Sequence, residues 1–189
     1  MRWQRLFEDF ESRWAAQRQR GIEEDAAEES RLIAARTTMT ELLGAHQGAA
    51  LRLMTASGRT VAGALESVGA DWVLVLQRGE EHLVPTRAIT WWEPASPPRR
   101  GASGGTLRFT TALRALAAHR EPVRLLSLRG AEEVECEGVI ERVGADHLIL
   151  RLSAEHAGAT RSDRGRRVYP FRAIAALAVP ARGTEADGR

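Results

Sequence analysis

Lysine is absent from this chain, and all 27 of its basic residues are arginine. With abundant Ala and Gly beside it, that replacement reads as a high-GC coding bias, so arginine number alone does not mark a site. Cys136 is the single cysteine, which excludes an intrachain disulfide and suits a reducing compartment. Aromatic residues make up only 5% of the chain. No apolar run approaches the ~18 residues of a membrane span, and the opening Met1-Arg2-Trp3-Gln4-Arg5 lacks the apolar core of a signal peptide. The expectation is a cytoplasmic protein without membrane insertion. Phosphate loop, nucleophile elbow and dinucleotide fingerprint are all missing, and no histidines stand at metal-ligand spacing. Cys136 reads as an inert thiol, and His46 and His119 as caps at helix ends. The sequence therefore offers no catalytic, metal or cofactor residue and no evident small-molecule substrate, and it reads as a non-enzyme.

What the chain has instead is one module written twice. Thr37-Thr38 through His46 align with Thr110-Thr111 through His119. Val68-Gly69-Ala70-Asp71 align with Val143-Gly144-Ala145-Asp146, and Pro85, Arg87, Ala88 and Ile89 with Pro170, Arg172, Ala173 and Ile174. The order of motifs is kept while the gaps between them grow, as expected of a structural unit that accepts insertions only in its loops. In each copy a helix precedes five short strands. The first helix runs to about Ala45 with Met39, Leu42 and Leu43 facing inward. The second covers 107–119 with Leu113 and Leu116 inward. Alternation and apolar runs predict strands near 51–53, 61–68, 72–76, 81–84 and 87–92, then 123–128, 134–143, 147–152, 167–169 and 173–179. Gly63 and Gly138 occupy matched places inside the second strand of each copy, where glycine permits a bend or bulge. Gly69-Ala70-Asp71 and Gly144-Ala145-Asp146 read as hairpin turns.

These features predict the following division. Residues 1–36 form an N-terminal amphipathic helical segment, 37–92 the first module and 93–106 a linker rich in Pro, Gly, Ser and Arg. Residues 107–180 form the second module, with a loop insertion at 153–167, and 181–189 a disordered tail.

A helix followed by five short, strongly bent strands resembles the Sm-like fold of the Sm, LSm and Hfq proteins, a kind of SH3-like small barrel. The matching residues are Gly63-Ala64-Leu65 and Gly138-Val139-Ile140, then Asp71 and Asp146, then Val84-Pro85-Thr86-Arg87-Ala88-Ile89 and Tyr169-Pro170-Phe171-Arg172-Ala173-Ile174. The resemblance implies an α+β fold, in which an N-terminal helix is followed by two repeated helix-plus-five-stranded bent β-barrel modules. It also implies barrels that pair through open strand edges. RNA-binding members carry an Asn after the loop Asp and an Arg-Gly or Lys-His pair in the last loop. Neither feature is present here. The opening residues further resemble a group of actinobacterial proteins, some labelled Fis-type regulators, although no helix-turn-helix pattern supports that label.

Two surfaces stand out. Trp3, Leu6, Phe7, Phe10 and Trp14 fall on one stripe of an amphipathic helix over 2–17, and such a stripe must bury against something. Residues 94–120 carry five arginines and no acid. The expected function is a non-enzymatic adaptor or assembly protein that uses paired barrels and the aromatic stripe for a protein partner or self-association. The alternative is an RNA- or DNA-binding regulator that grips phosphates through Arg99, Arg100, Arg108, Arg114, Arg161, Arg164, Arg166 and Arg167.

Overall fold

The computed structural model describes residues 31–97, 104–129, 132–153 and 165–180, residue 33 excepted. The chain divides into two compact units, 1–38 and 39–189. In the first, residues 31–32 and 34–36 are helical. The remainder of the predicted 1–36 helix, the aromatic stripe included, lies outside the described residues, as do the predicted tail and most of the insertion.

The second unit is mostly β. Helix α1 (Met39–Gly44) leads into strands β1 (Ala50–Thr55), β2 (Thr60–Val68), β3 (Trp72–Gln77), β4 (Glu80–Pro85) and β5 (Ile89–Pro94). Helix α2 (Phe109–His119) leads into β6 (Pro122–Arg129), β7 (Glu132–Val143), β8 (His147–Leu152), β9 (Arg166–Pro170) and β10 (Ile174–Pro180). All ten strands form one sheet in the order β5-β1-β2-β3-β4-β10-β6-β7-β8-β9, and every pairing in it is antiparallel.

The α+β expectation of two helix-plus-barrel modules is therefore corrected. The fold is a single open ten-stranded antiparallel sheet with short helices, not a pair of separate barrels. The reason lies in β4 and β10. The free side of β4 does not return to its own half but takes β10, with Leu83 opposite Leu177 and His82 opposite Ala178. Ile174–Val179 is buried throughout, so β10 is covered on both faces like a central strand. The two cores interleave there. Leu83 and Trp72 of the first half pack with Leu125, Leu177 and Phe109 of the second. Leu126, Ala175 and Ala176 of the second half pack with Leu53, Val73 and Val84 of the first.

The repeat survives in the register. Gly63 faces Leu51 as Gly138 faces Val123. The register slips between Leu65 and Ser67 in β2 and between Ile140 and Arg142 in β7, at equivalent places. The two glycines sit where each long strand passes from one neighbour to the next. A Cβ on Gly63 would lie 1.9 Å from the Leu76 carbonyl oxygen, and one on Gly138 would lie 2.3 Å from that of Arg151. Both positions require glycine because a neighbouring backbone occupies the space of a side chain.

The halves differ in their loops. β3 and β4 are joined by Arg78-Gly79, both at positive φ (51° and 79°), as a two-residue hairpin turn requires. The corresponding link between β8 and β9 is the insertion. The predicted linker begins later than expected, since Glu93 and Pro94 belong to β5.

Candidate interaction surfaces

The seam between the halves is held by main-chain pairing, by a polar cluster and by α2. The polar cluster lies at one end. Arg124 of β6 bonds Glu80 of β4 and approaches Glu135 of β7 at 3.7 Å. Arg59 approaches Glu133 and Glu135 at 3.4 Å, and the Ser57 hydroxyl donates to Glu133. Acids of the second half thus meet arginines of the first, and the reverse. A recess of about 190 Å³ lined by Arg59, Arg78, Glu80, His82 and Arg124 opens beside this cluster. His82 is buried, with Nε2 3.7 Å from Glu80 and Nδ1 lacking a hydrogen-bond partner. Burial holds its imidazole below the usual range against the opposing pull of Glu80, and Arg124 and Arg59 press the same way as burial. At neutral pH it is the uncharged form that the seam accommodates.

At the other end, Asp71 and Arg87 reach from the first half into the second. The Asp71 carboxylate accepts from the Phe109 backbone N–H at 2.6 Å and so satisfies an open donor at the start of α2. The Trp72 indole N–H donates to the Leu107 carbonyl at 2.9 Å. Arg87 donates to the Phe171 carbonyl, and its guanidinium lies 5.2 Å from the Phe109 ring centre. Burial lowers the pKa of Arg87, with Asp71 opposing the shift. Phe109 meets Phe171 edge-on at 5.9 Å. Alanine at 112, 115, 117 and 118 favours α2, and Arg120 ends it in a left-handed conformation at φ 52°. The helix leaves an apolar groove of about 310 Å³ over the seam, lined by Trp72, Leu74, Leu83, Ala112, Leu116 and Val179 among others.

The structure treats the predicted site residues unevenly. Trp3, Leu6, Phe7, Phe10 and Trp14 lie outside the described residues, as do Arg99, Arg100, Arg161 and Arg164. Arg108 flanks the start of α2 and Arg114 lies exposed on it. Arg166 bonds Glu141 at 2.7 Å, and Arg167 donates to the Cys136 sulfur at 3.1 Å. Cys136 is buried. His46 accepts its predicted capping role, with Nδ1 2.9 Å from the Leu42 carbonyl, and its ring meets Trp92 edge-on. His119 stands in the last turn of α2 and also lines the apolar groove.

One prediction on α1 fails. Leu43 is buried, but Met39 and Leu42 are 40% and 44% exposed. The seam residues Asp71, Arg87, His82 and Arg124 were not singled out as partners from sequence. Their one signal is that Asp71 and Arg87 recur in the repeat, as Asp146 and Arg172, while His82 holds the place that Arg167 takes in the second copy.

Among the described residues no helix is long and apolar enough to cross a membrane, and no cluster of three metal-ligating side chains occurs. Comparison with protein-family models, with curated proteins and with solved structures gives no match to this chain.

Proposed function

We propose that this chain is a non-enzymatic assembly protein, in which the ten-stranded sheet is a rigid platform and contacts are made at its rim and through the aromatic stripe. The observation that carries this reading is the seam. Two repeat units are joined by pairing β4 with β10, and among the described residues the outermost strands, β5 and β9, have a strand neighbour on one side only. Open strands of this kind recruit partners by main-chain hydrogen bonding. Trp3, Leu6, Phe7, Phe10 and Trp14 supply a second, side-chain contact for a protein partner.

The test uses the full chain with Trp3→Ala and Phe7→Ala together. Partner capture is lost while the unfolding midpoint stays put. Loss of folding instead would assign the stripe to the core. A grip on nucleic acid through arginines predicts affinity that falls steeply with salt. The adaptor reading predicts none of that dependence, and no nuclease-sensitive nucleic acid after purification in low salt.

A further inference from the structure

We propose that the polar recess at the Arg124 end of the seam binds one oxyanion of phosphate size, free or as the head of a small monoester. This goes beyond the assembly reading above and stands without it.

The recess draws on both halves of the chain. Arg59 comes from the β1–β2 hairpin, Arg78 from the β3–β4 hairpin, Glu80 and His82 from β4, and Arg124 from β6. Its volume of about 190 Å³ lies below the roughly 300 Å³ at which pockets for drug-sized ligands begin, so it suits a small ion or head group. The side chains of Arg59, Glu80 and Arg124 are each about a third exposed, so the recess is reached from solvent without opening the seam.

Charge selects an anion. The wall carries three guanidinium groups against one carboxylate, a formal surplus of two positive charges. The carboxylate, Glu80, is already bonded to Arg124. Arg59 is held by Glu133 and Glu135, neither of which lines the recess. Arg124 uses Nη2 for Glu80 and Nε for Glu135, and its Nη1 makes no bond among the described residues. Arg78 is exposed and makes no hydrogen bond or ion pair among the described residues. Two guanidinium groups on the wall therefore keep N–H donors for a ligand, in the planar array that matches phosphate oxygens.

Two further observations point to a ligand. His82 lines the recess and is only 6% exposed, and its Nδ1 is a buried polar atom without a hydrogen-bond partner. A buried polar group left so costs free energy, and a bound ion is one way to satisfy it. A neutral imidazole can accept from the O–H of hydrogenphosphate or donate to one of its oxygens, according to tautomer. The second observation is Arg78 itself. Its φ of 51° is the left-handed conformation that the turn requires, and Asn or Gly meets that need at lower cost. The turn has no use for a guanidinium, whereas the recess does. In the second copy the places of Arg59 and His82 are taken by Val134 and Arg167, so the repeat folds without this constellation.

The experiment is isothermal titration calorimetry of the full chain with inorganic phosphate and, separately, with glycerol 3-phosphate, at an ionic strength held constant with chloride. The expected result is one saturable site per chain. Arg78→Asn keeps a residue that tolerates positive φ but removes the charge, and it weakens binding by about tenfold or more. Arg142→Gln, at an exposed arginine of β7 outside the recess, leaves binding unchanged. Phosphate also raises the unfolding midpoint of the wild type more than that of Arg78→Asn, because a ligand of the native state stabilises it. Circular dichroism checks that each variant is folded. Competition between the two ligands assigns the site to monoester heads as well, and binding of phosphate alone assigns it to the free ion. Absence of saturable binding by either ligand overturns the proposal. Binding indifferent to Arg78→Asn overturns it too, as does binding that Arg142→Gln weakens equally, which is the mark of diffuse surface charge.

Discussion

β5 and β10 are the same strand of the repeat in two different situations. β10 reads Ile-Ala-Ala-Leu-Ala-Val and lies between β4 and β6, buried on both faces. β5 reads Ile-Thr-Trp-Trp-Glu-Pro and ends the sheet, with Thr90, Glu93 and Pro94 in solvent. The difference follows from packing space and hydrogen bonding. A strand covered on both faces and both sides tolerates only small or apolar side chains, and every N–H on it has a partner to lose. A terminal strand admits a carboxylate, and it admits a proline where the missing N–H would have faced water. Wide Trp91 and Trp92 shield an otherwise thin edge. Their counterparts, Ala176 and Leu177, are small enough to let two cores close over them.

That contrast breaks most sharply under a buried charge. Ala176→Asp places a carboxylate where no water reaches, and unfolding in denaturant should show a loss of about 4 kcal/mol. Trp91→Asp, at the equivalent but half-exposed place, should lose about 1 kcal/mol, the scale of a ring stacked 5.5 Å from the exposed Arg52 guanidinium. Equal losses would mean that β10 is not a central strand.

Symmetry between the halves is tested at the matched glycines. Gly63→Ala and Gly138→Ala should each destabilise by about 2 kcal/mol, because each new methyl overlaps a neighbouring backbone carbonyl. If only one does so, the repeat is not equivalent in detail.

His82 marks a difference between the inner seam and the outer edge. Its folded pKa lies below the unfolded value of about 6.5, so the neutral ring contributes stability that is present above that value. As pH falls below it, the unfolded state binds the proton first, and stability drains until the folded pKa is passed. His82→Leu should flatten this acid limb of the pH–stability curve. A persistent slope in that window would assign it to other groups.

The smallest effect belongs to the ion pairs across the seam. Glu80→Gln removes one of the two carboxylates beside Arg124, and both side chains of that pair are about a third exposed, so the cost should stay under about 1 kcal/mol and fade with added salt. A larger loss would make the polar cluster, rather than the strand pairing, the bond between the halves.

Much of the sheet was legible in the sequence. Alternation at Leu51 and Leu53, the apolar run from Trp72 and the matched Gly63 and Gly138 located the strands, and the repeat divided them into two sets of five. The joining of the halves was harder to read. Ile174–Val179 does not alternate, and an unbroken apolar run is the mark of a strand covered on both faces. Within a self-contained barrel that run looks like an ordinary core strand, which is why separate modules were expected. Met39 and Leu42 misled for a related reason. Their pattern is that of a helix with something to cover, and within one copy only Leu43 finds it. Asp71 looked like a turn residue and Arg87 like the start of a strand because their partners, Phe109 and Phe171, are 38 and 84 residues away. No local pattern encodes a contact across such a distance.

Hydrogen–deuterium exchange of the full chain tests the account most directly. β4 and β10 should exchange slowly, as interior strands do, and β5 and β9, at the ends of the sheet, should exchange faster. Exchange in β10 as fast as in β5 would contradict the continuous sheet.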